Sequence, residues 1–275
     1  MWEQAPGSPA AKRTPVLRTA PTIVSFKNII GWITPPNQLV SITAGQLSQV
    51  AGTYETPGSV VAWGGVNGYG QCGLPVPNAD FVSVAAGFLF SLGLHADGSI
   101  VAWGNSYNNS GQCNVPAPNT GFVAVAAGYG HSLGLKADGS IVAWGANNLG
   151  QCDVPAPNTD FIAVEAGYGH SLGLKADGSV AAWGGNYSGV CELPIPNTGF
   201  VAIAAGDYHN LALKADGSIV AWGYGGWGEL NLPAPNAGFV AVSAGHGRSL
   251  GLKADDSIVA WGGIPARLRS PTPAS

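Results

Sequence analysis

Short runs of alternating apolar and small or polar residues recur along the chain without the spacing of an amphipathic helix. In one stretch, Phe122–Gly128, His131–Lys136 and Ser140–Gly145 carry branched or aliphatic side chains at alternate positions, which is typical of strands. Ala137-Asp138-Gly139 separates the second run from the third, and Asp-Gly tolerates the positive φ of a tight hairpin. The pattern predicts antiparallel strands a, b and c, with a shorter strand d near Gln151–Val154 that ends in a Pro-rich linker.

This unit recurs at intervals of 39 to 41 residues, each copy marked by the tripeptide Ala-Trp-Gly. A fixed period near 40 indicates a repeat architecture, and four short antiparallel strands per unit are typical of a β-propeller blade. Because these tryptophans are invariant within the chain and lie on a strand, we expect them to pack in the core between blades. They are Trp63, Trp103, Trp144, Trp183, Trp222 and Trp261.

Seven hairpins can be counted, of which six belong to the Ala-Trp-Gly copies. The seventh is degenerate and pairs Ile23–Lys27 with Ile29–Trp32, and Thr34–Asn37 then matches the Pro-rich linker directly. The sequence therefore predicts an all-β, seven-bladed β-propeller of about 39-residue repeats with a degenerate first blade. Six closed blades with a frayed fragment remain the alternative.

Residues 22–263 are predicted to form the propeller, between a disordered N-terminal tail at 1–21 and a C-terminal tail or linker at 264–275. Residues 1–21 hold no apolar run typical of a signal peptide. We expect a cytoplasmic protein if the chain is complete, and a secreted or cell-surface protein if an export signal lies outside this sequence.

The predicted propeller is acidic and sparsely charged. Residues 28–263 contain five Lys and Arg residues against fourteen Asp and Glu residues, a net charge of −9. Phosphate binding needs clustered basic residues, so this balance argues against a nucleic-acid partner. No apolar run reaches the length that spans a bilayer, and we expect no membrane insertion. A monomer is expected.

Four cysteines share one repeat position, where the fifth copy has Leu230. Cysteine that exchanges with leucine behaves as a small hydrophobic residue, and equivalent positions of neighbouring blades are too far apart for a disulfide. There is no Cys-x-x-Cys pair typical of zinc sites. The four residues are Cys72, Cys113, Cys152 and Cys191.

His131, His170 and His209 also share one position, which is occupied by Phe90 and Arg248 in other copies. A metal site rarely tolerates such replacements, so we expect structural imidazoles that hydrogen-bond loop backbone. The repeated Asp residues are turn formers, and the chain has neither a nucleophile elbow nor a phosphate-binding loop. We therefore expect no enzyme, no cofactor and no metal.

The copies differ mainly in the a–b and c–d loops, which alternating strand direction places on one face. Tyr, Trp, Phe, Asn, Ser and Gly dominate these loops, a composition typical of antibody-like contact surfaces. The sequence predicts a non-catalytic protein-binding propeller; a glycan-binding propeller and a structural module of a larger surface protein remain alternatives. The predicted contact residues are Phe88, Leu89, Tyr129, Tyr168 and Tyr208 in a–b loops, with Tyr69, Tyr107, Tyr187, Tyr224 and Trp227 in c–d loops.

The motifs Gly-x-x-His-Ser-Leu-x-Leu-Lys, Asp-Gly-Ser-x-Val-Ala-Trp-Gly and Gly-Gln resemble the regulator of chromosome condensation repeat family over residues 22–263. The short unit is more similar to bacterial members of the type of beta-lactamase inhibitor protein II. The resemblance implies a seven-bladed propeller and a bacterial binding module, with inhibition of a secreted or cell-wall enzyme as one possibility. It implies target contacts by Phe88, Tyr107, Tyr129, Tyr168, Tyr187, Tyr208, Tyr224 and Trp227.

Overall fold

The structure is a computed structural model that describes the backbone of residues 21–24 and 38–41 and, in full, residues 58–62, 68, 70–104 and 110–263. The chain divides into two compact units, residues 1–27 with 34–54, and residues 28–33 with 55–275. We describe each unit by itself.

In the first unit, strand β1 (Pro21–Val24) pairs antiparallel with β2 (Gln38–Ser41). The predicted first hairpin placed Ile23 opposite Ile29–Trp32, whereas Ile23 lies opposite Leu39 in the structure. Both paired segments are short and contain β-branched residues, which favour an extended ladder. Residues 29–32 lie outside the described part of the chain.

The described part of the second unit contains five antiparallel three-stranded sheets, each with the strand order a, b, c along the chain. The sheets are β3 (Phe81–Ala86), β4 (Phe90–His95), β5 (Ile100–Gly104); β6 (Phe122–Ala127), β7 (His131–Lys136), β8 (Ile141–Gly145); β9 (Phe161–Ala166), β10 (His170–Lys175), β11 (Val180–Gly184); β12 (Phe200–Ala205), β13 (His209–Lys214), β14 (Ile219–Gly223); and β15 (Phe239–Ala244), β16 (Arg248–Lys253), β17 (Ile258–Gly262). A 3-10 turn spans Tyr187–Gly189. The predicted all-β class is confirmed.

The predicted fourth strand is wrong for the repeats that the structure describes. Gln151–Val154 forms turns instead, in which the Asp153 amide donates to the Gly150 carbonyl at 3.0 Å. The flanking prolines carry no N–H for a ladder. The Asn158 side chain takes that place, because its amide nitrogen and oxygen each bond the backbone of Ile141 at 2.8 Å.

This asparagine clamp recurs in every described linker. Its side-chain amide forms two hydrogen bonds with the backbone N–H and C=O of the first residue of the third strand. One side chain thus pairs backbone groups at the sheet edge that a fourth strand would otherwise pair. The other clamps join Asn78 to Val60, Asn119 to Ile100, Asn197 to Val180 and Asn236 to Ile219.

The b–c turns follow the sequence prediction. Gly139 has φ +82°, and the Asp138 carboxylate accepts hydrogen bonds from the amide and hydroxyl of Ser140 at 2.9 and 2.6 Å. The last copy has Asp256 in place of the glycine, and it adopts φ +65°. Aspartate tolerates this left-handed conformation better than most residues, which is why the turn survives the exchange.

The hydrophobic core lies between consecutive repeats. Trp144 is buried with Phe90, Leu92 and Ile100 of the preceding repeat, and its indole N–H donates to the Gln112 carbonyl at 2.9 Å. Each repeat therefore completes the core of its neighbour. Trp183 and Trp222 are buried in the same way, Trp103 and Trp261 are half-buried with the same kind of indole hydrogen bond, and Trp63 lies outside the described residues.

The last described sheet presents an uncovered face. Leu250 is 42% exposed and Ile258 is 70% exposed, whereas Leu211 and Ile219 at the same positions of the preceding repeat are buried. The described residues of this unit contain five three-stranded sheets. The total of seven blades stays a prediction.

Candidate binding face

The a–b and c–d loops lie at the same end of each repeat. The first c–d loop residue donates its amide hydrogen to the a–b loop, as from Ala146 to Gly130 at 2.8 Å and from Tyr224 to Tyr208 at 2.7 Å. Turns and linkers meet at the other end, where the Phe161 amide bonds the Gly139 carbonyl at 3.0 Å. The variable loops therefore form one face, as the strand alternation predicts.

Backbone hydrogen bonds connect the a–b loops of neighbouring repeats. The Phe88 amide donates to Gly128, the Tyr129 amide to Gly167 at 3.2 Å, and the Tyr168 amide to Asp207. A Cβ at Gly128 would lie 2.5 Å from the Gly167 carbonyl oxygen, so only glycine permits this approach. The loops are consequently held at a fixed spacing rather than projecting independently.

Four predicted contact residues form a continuous row of rings, which we call the aromatic arc: Phe88, Tyr129, Tyr168 and Tyr208. Their successive ring centroids are 4.3, 4.4 and 5.2 Å apart, distances typical of favourable aromatic pairs. Phe88 is 56% exposed, and the three tyrosines are half-buried. The arc is thus a rigid apolar strip with hydroxyl groups, reachable from solvent.

A second group of rings, the Trp227 cluster, contains Tyr224, Trp227 and His246. The Trp227 ring centroid lies 5.4 Å from Tyr224 and 5.2 Å from His246. His246 Nδ1 lies 2.5 Å from a carboxylate oxygen of Asp207, the residue before Tyr208. This contact joins the cluster to the end of the aromatic arc. Asp207 and His246 occupy a–b loops by the repeat pattern, and neither is among the predicted contact residues.

The remaining predicted contact residues lie less centrally. Tyr187 is half-exposed, with its ring close to Gly185 and Gly169, and Leu89 is half-buried in its a–b loop. Tyr69 and Tyr107 lie outside the described residues. The structure therefore brings together six of the ten predicted contact residues, in two adjoining groups.

Below the aromatic arc is a cavity of about 600 Å³, the inner cavity, bounded by the first strands of the five repeats. The arc, Asp207 and His246 line it together with Glu165. Burial raises the pKa of the Glu165 carboxyl to about 7. Ala85, Ala126, Ala204 and Ser243 occupy its position in the other four described repeats. This break in an otherwise uncharged strand position is the signal that sequence analysis missed.

The predicted structural histidines link each repeat to the next. His131 Nε2 lies 2.9 Å from the Ser171 hydroxyl, which donates its hydrogen to the Gln151 carbonyl. We therefore assign the proton to Nε2, which donates to the serine oxygen. The partner is a side chain of the next repeat rather than loop backbone. His170 with Asn210 and His209 with Ser249 repeat the arrangement.

These imidazoles are buried, and burial lowers the pKa of all three. The pKa of His131 falls to about 4, first because burial penalises its charge and second because His170 is near. His170 and His209 shift in the same direction for the same first cause. The three rings are therefore neutral at physiological pH, as structural hydrogen-bond donors.

Cys113, Cys152 and Cys191 are free thiols, and all four cysteines, including Cys72, are half-buried. Burial raises the pKa of the Cys152 thiol to about 11, and its sulfur lies 3.2 Å from the Ala146 carbonyl oxygen. Across the described ranges, no cluster of three His, Cys, Asp or Glu side chains is arranged to hold a metal ion. In the same residues, no helix is long and apolar enough to cross a membrane.

Comparison with known proteins identifies the repeat. The model of the regulator of chromosome condensation (RCC1) repeat matches residues 81–112, 122–151, 161–190 and 200–228. These segments begin at the first strand of four successive sheets and end in the c–d loop. No curated protein sequence matches the chain.

Several solved structures are similar to it. The CRINKLY WD40 ectodomain of the Arabidopsis thaliana receptor kinase ACR4 is 26% identical over 74% of this chain and 72% of its own, with a TM-score of 0.57. The ectodomain of the Physcomitrella patens receptor kinase CR4 is 24% identical over 73% and 55%, with a TM-score of 0.59. Prp20p from Saccharomyces cerevisiae is 21% identical over 66% and 58%, with a TM-score of 0.56. The chain thus spans 58% of the length of Prp20p.

Proposed function

The chain carries regulator of chromosome condensation repeats folded as a β-propeller, and we propose that it is a non-catalytic module that binds a protein partner. Its contact surface is the aromatic arc with the adjoining Trp227 cluster. We assign the module to residues 22–263 and propose that it acts as a monomer. By the repeat pattern, we extend its contact surface to Tyr69 and Tyr107.

The exposed, pre-stacked aromatic arc is the observation that carries this proposal. Its rings are immobilised by one another and by backbone hydrogen bonds between loops, so a partner would order few side chains on binding. Large amphipathic rings in such a setting are the usual hot spots of protein interfaces. An isolated aromatic residue would carry no such argument, because scattered exposed apolar residues are common.

Similar proteins also support a protein partner. One solved structure is yeast RCC1 (Prp20) bound to Kap60, and Prp20p is described with its binding to Gsp1p and histones. Those partners belong to the yeast protein. The repeat architecture shared with it supports the class of function, while the loops of this chain would set their own target.

The test is comparative affinity capture from native lysate and from culture medium. The wild type is compared with a variant in which Phe88, Tyr129, Tyr168, Tyr208 and Trp227 are all replaced by Ala. The matched control carries Val76→Ala and Ile195→Ala, two apolar residues that are 96% and 97% exposed in the linkers at the other end. All three proteins are first shown to unfold at similar urea concentrations.

We expect a protein that the wild type and the linker control retain and that the aromatic variant loses. If all three proteins retained the same partner equally, the aromatic arc would not be the contact surface. If no protein is retained, and the wild type binds glycans on an array that the aromatic variant does not bind, the glycan-binding alternative would be favoured. Within the protein-binding class, inhibition of a beta-lactamase or a related cell-wall enzyme is a narrower hypothesis, which a panel of such enzymes at micromolar protein would test.

A further inference from the structure

We propose that the inner cavity receives a cationic side chain, Lys or Arg, of the protein partner, with Glu165 as its counter-ion and the aromatic arc around its entrance. This inference rests on the proposed function and adds the chemistry that the partner must supply. It assigns a role to a residue that neither the repeat pattern nor the core requires.

The fold does not need a carboxylate at this position. Three other repeats have Ala at the position of Glu165 on the same strand, with the same pairing to the second strand. Among the hydrogen bonds and ion pairs of the described residues, none involves the Glu165 carboxyl. The carboxylate therefore adds a charge to the wall of a cavity that is otherwise lined mainly by Ala, Val and Gly.

Among the described residues, the cavity wall offers Glu165 no Lys or Arg to face. The other acidic lining residue, Asp207, already faces His246. Burial already raises the pKa of Glu165 to about 7. A cation placed beside the carboxylate would offset this desolvation, because opposite charges within a few ångströms favour the ionised form.

The entrance suits a long cationic side chain. Glu165 lies on strand β9, which ends at Ala166, and Tyr168 follows in the a–b loop; both residues line the inner cavity. The four-carbon stem of Lys, or the planar guanidinium of Arg, can pass aromatic rings with favourable cation–π contact. The chain uses this contact elsewhere, since Lys136 Nζ lies 3.6 Å from the Phe122 ring centroid.

The first arm of the test uses n-butylammonium, which reproduces the Lys side chain, with n-butanol as the neutral control. Binding is followed at pH 8 by the ring NMR signals of Tyr129 and Tyr168 in the wild type and in Glu165→Ala. The charge-matched control is Glu192→Ala, which removes an exposed carboxylate outside the cavity. Ala is already tolerated at the Glu165 position in other repeats, so this variant should fold.

We expect saturable shifts with butylammonium in the wild type and in the Glu192 variant, an affinity at least about tenfold weaker in Glu165→Ala, and no saturation with butanol. Equal binding by wild type and Glu165→Ala, or equal effects of the amine and the alcohol, would overturn the proposal.

The second arm separates a partner side chain from a free amine. The protein retained by the wild type in the capture experiment is titrated against Glu165→Ala, and we expect about tenfold weaker binding. Unchanged partner affinity would overturn the proposal even if butylammonium binds. In that case the proposed function would still stand, because it is tested separately by the five-residue aromatic variant. The proposed function itself would fail if that variant retained the partner as well as the wild type does.

Discussion

Acidification from pH 8 to pH 5 should remove stability that the buried histidines contribute, and His131 offers the clearest case. Its Nε2 donates to Ser171 and its ring is fully buried, so protonation would place a charge and an extra N–H at Nδ1, which has no hydrogen-bond partner among the described residues. The pKa of His131 falls from the ordinary 6.5 to about 4 on folding. The unfolded chain therefore takes up this proton first as the pH falls.

The sign and size of the change in the free energy of unfolding follow from the linkage between proton binding and folding. A folded-state pKa below the unfolded one gives stability that is present above pH 6.5 and lost as the pH falls towards 4. The full loss is about 3 kcal/mol, from about 1.4 kcal/mol per pKa unit, and about 2 kcal/mol of it is lost by pH 5. Glu165 acts in the opposite direction, because its raised pKa stabilises the folded state as the pH falls through 7.

A variant isolates the contribution of His131 from these other groups. We choose His131→Phe because Phe90 occupies the same position in the preceding repeat, where it is buried against the corresponding glycine. The serine of the following repeat, Ser132, still donates to its own loop carbonyl at 2.9 Å there. The exchange thus removes the titrating group and one hydrogen bond, the latter at a cost of about 1 kcal/mol.

The assay is urea unfolding followed by tryptophan fluorescence at pH 8, 7, 6 and 5 for both proteins. At pH 8 we expect the variant to lie within about 1 kcal/mol of the wild type. Between pH 8 and pH 5, the free energy of unfolding of the variant should rise by about 2 kcal/mol relative to that of the wild type. A stability difference that stays constant across this range would refute the assignment of His131 as a neutral, buried donor.

Three further predictions concern stability and use the same unfolding assay. Trp144→Ala should cost about 3–5 kcal/mol as a core truncation, whereas Phe88→Ala on the exposed arc should cost less than about 1; equal costs would contradict the face assignment. Gly128→Ala should cost about 1–3 kcal/mol by its clash with the next repeat, and Gly130→Ala, with its nearest side-chain contact at 3.4 Å, should be nearly neutral. Asn158→Ala should cost about 2 kcal/mol by opening the two-bond clamp, and an unchanged midpoint would mean that the clamp adds nothing.

The strands and turns were predictable because their signals are local. Alternation in Phe122–Gly128 and the Asp138-Gly139 turn each depend on a few neighbouring residues, and six copies in register reinforce one another. The fourth strand failed for a reason that no local pattern reveals. Its apolar residues read as a strand, but Asn158 reaches back 17 residues to satisfy the edge of Ile141.

The candidate site was predictable only in part. The loop positions of the aromatic residues follow from the repeat, but their stacking into one arc depends on how far one repeat is rotated from the next. The role of Glu165 depends on the same geometry, because a strand residue reaches the inner cavity only once the repeats are assembled. The partner of His131 was missed for this reason too: Ser171 lies 40 residues away in sequence.

The hydrogen-bond chain from histidine to serine to loop carbonyl also bears on how such a protein arises. Each of the three described units that carry the histidine supplies a donor to its successor, with the same sequence separation of 40 residues at each join. Unequal recombination that duplicates or deletes one whole unit would therefore restore an equivalent join each time. The joins tolerate Asn210 in place of serine. Gene-level gain and loss of units can thus reshape the recognition surface without redesigning the interfaces that hold it.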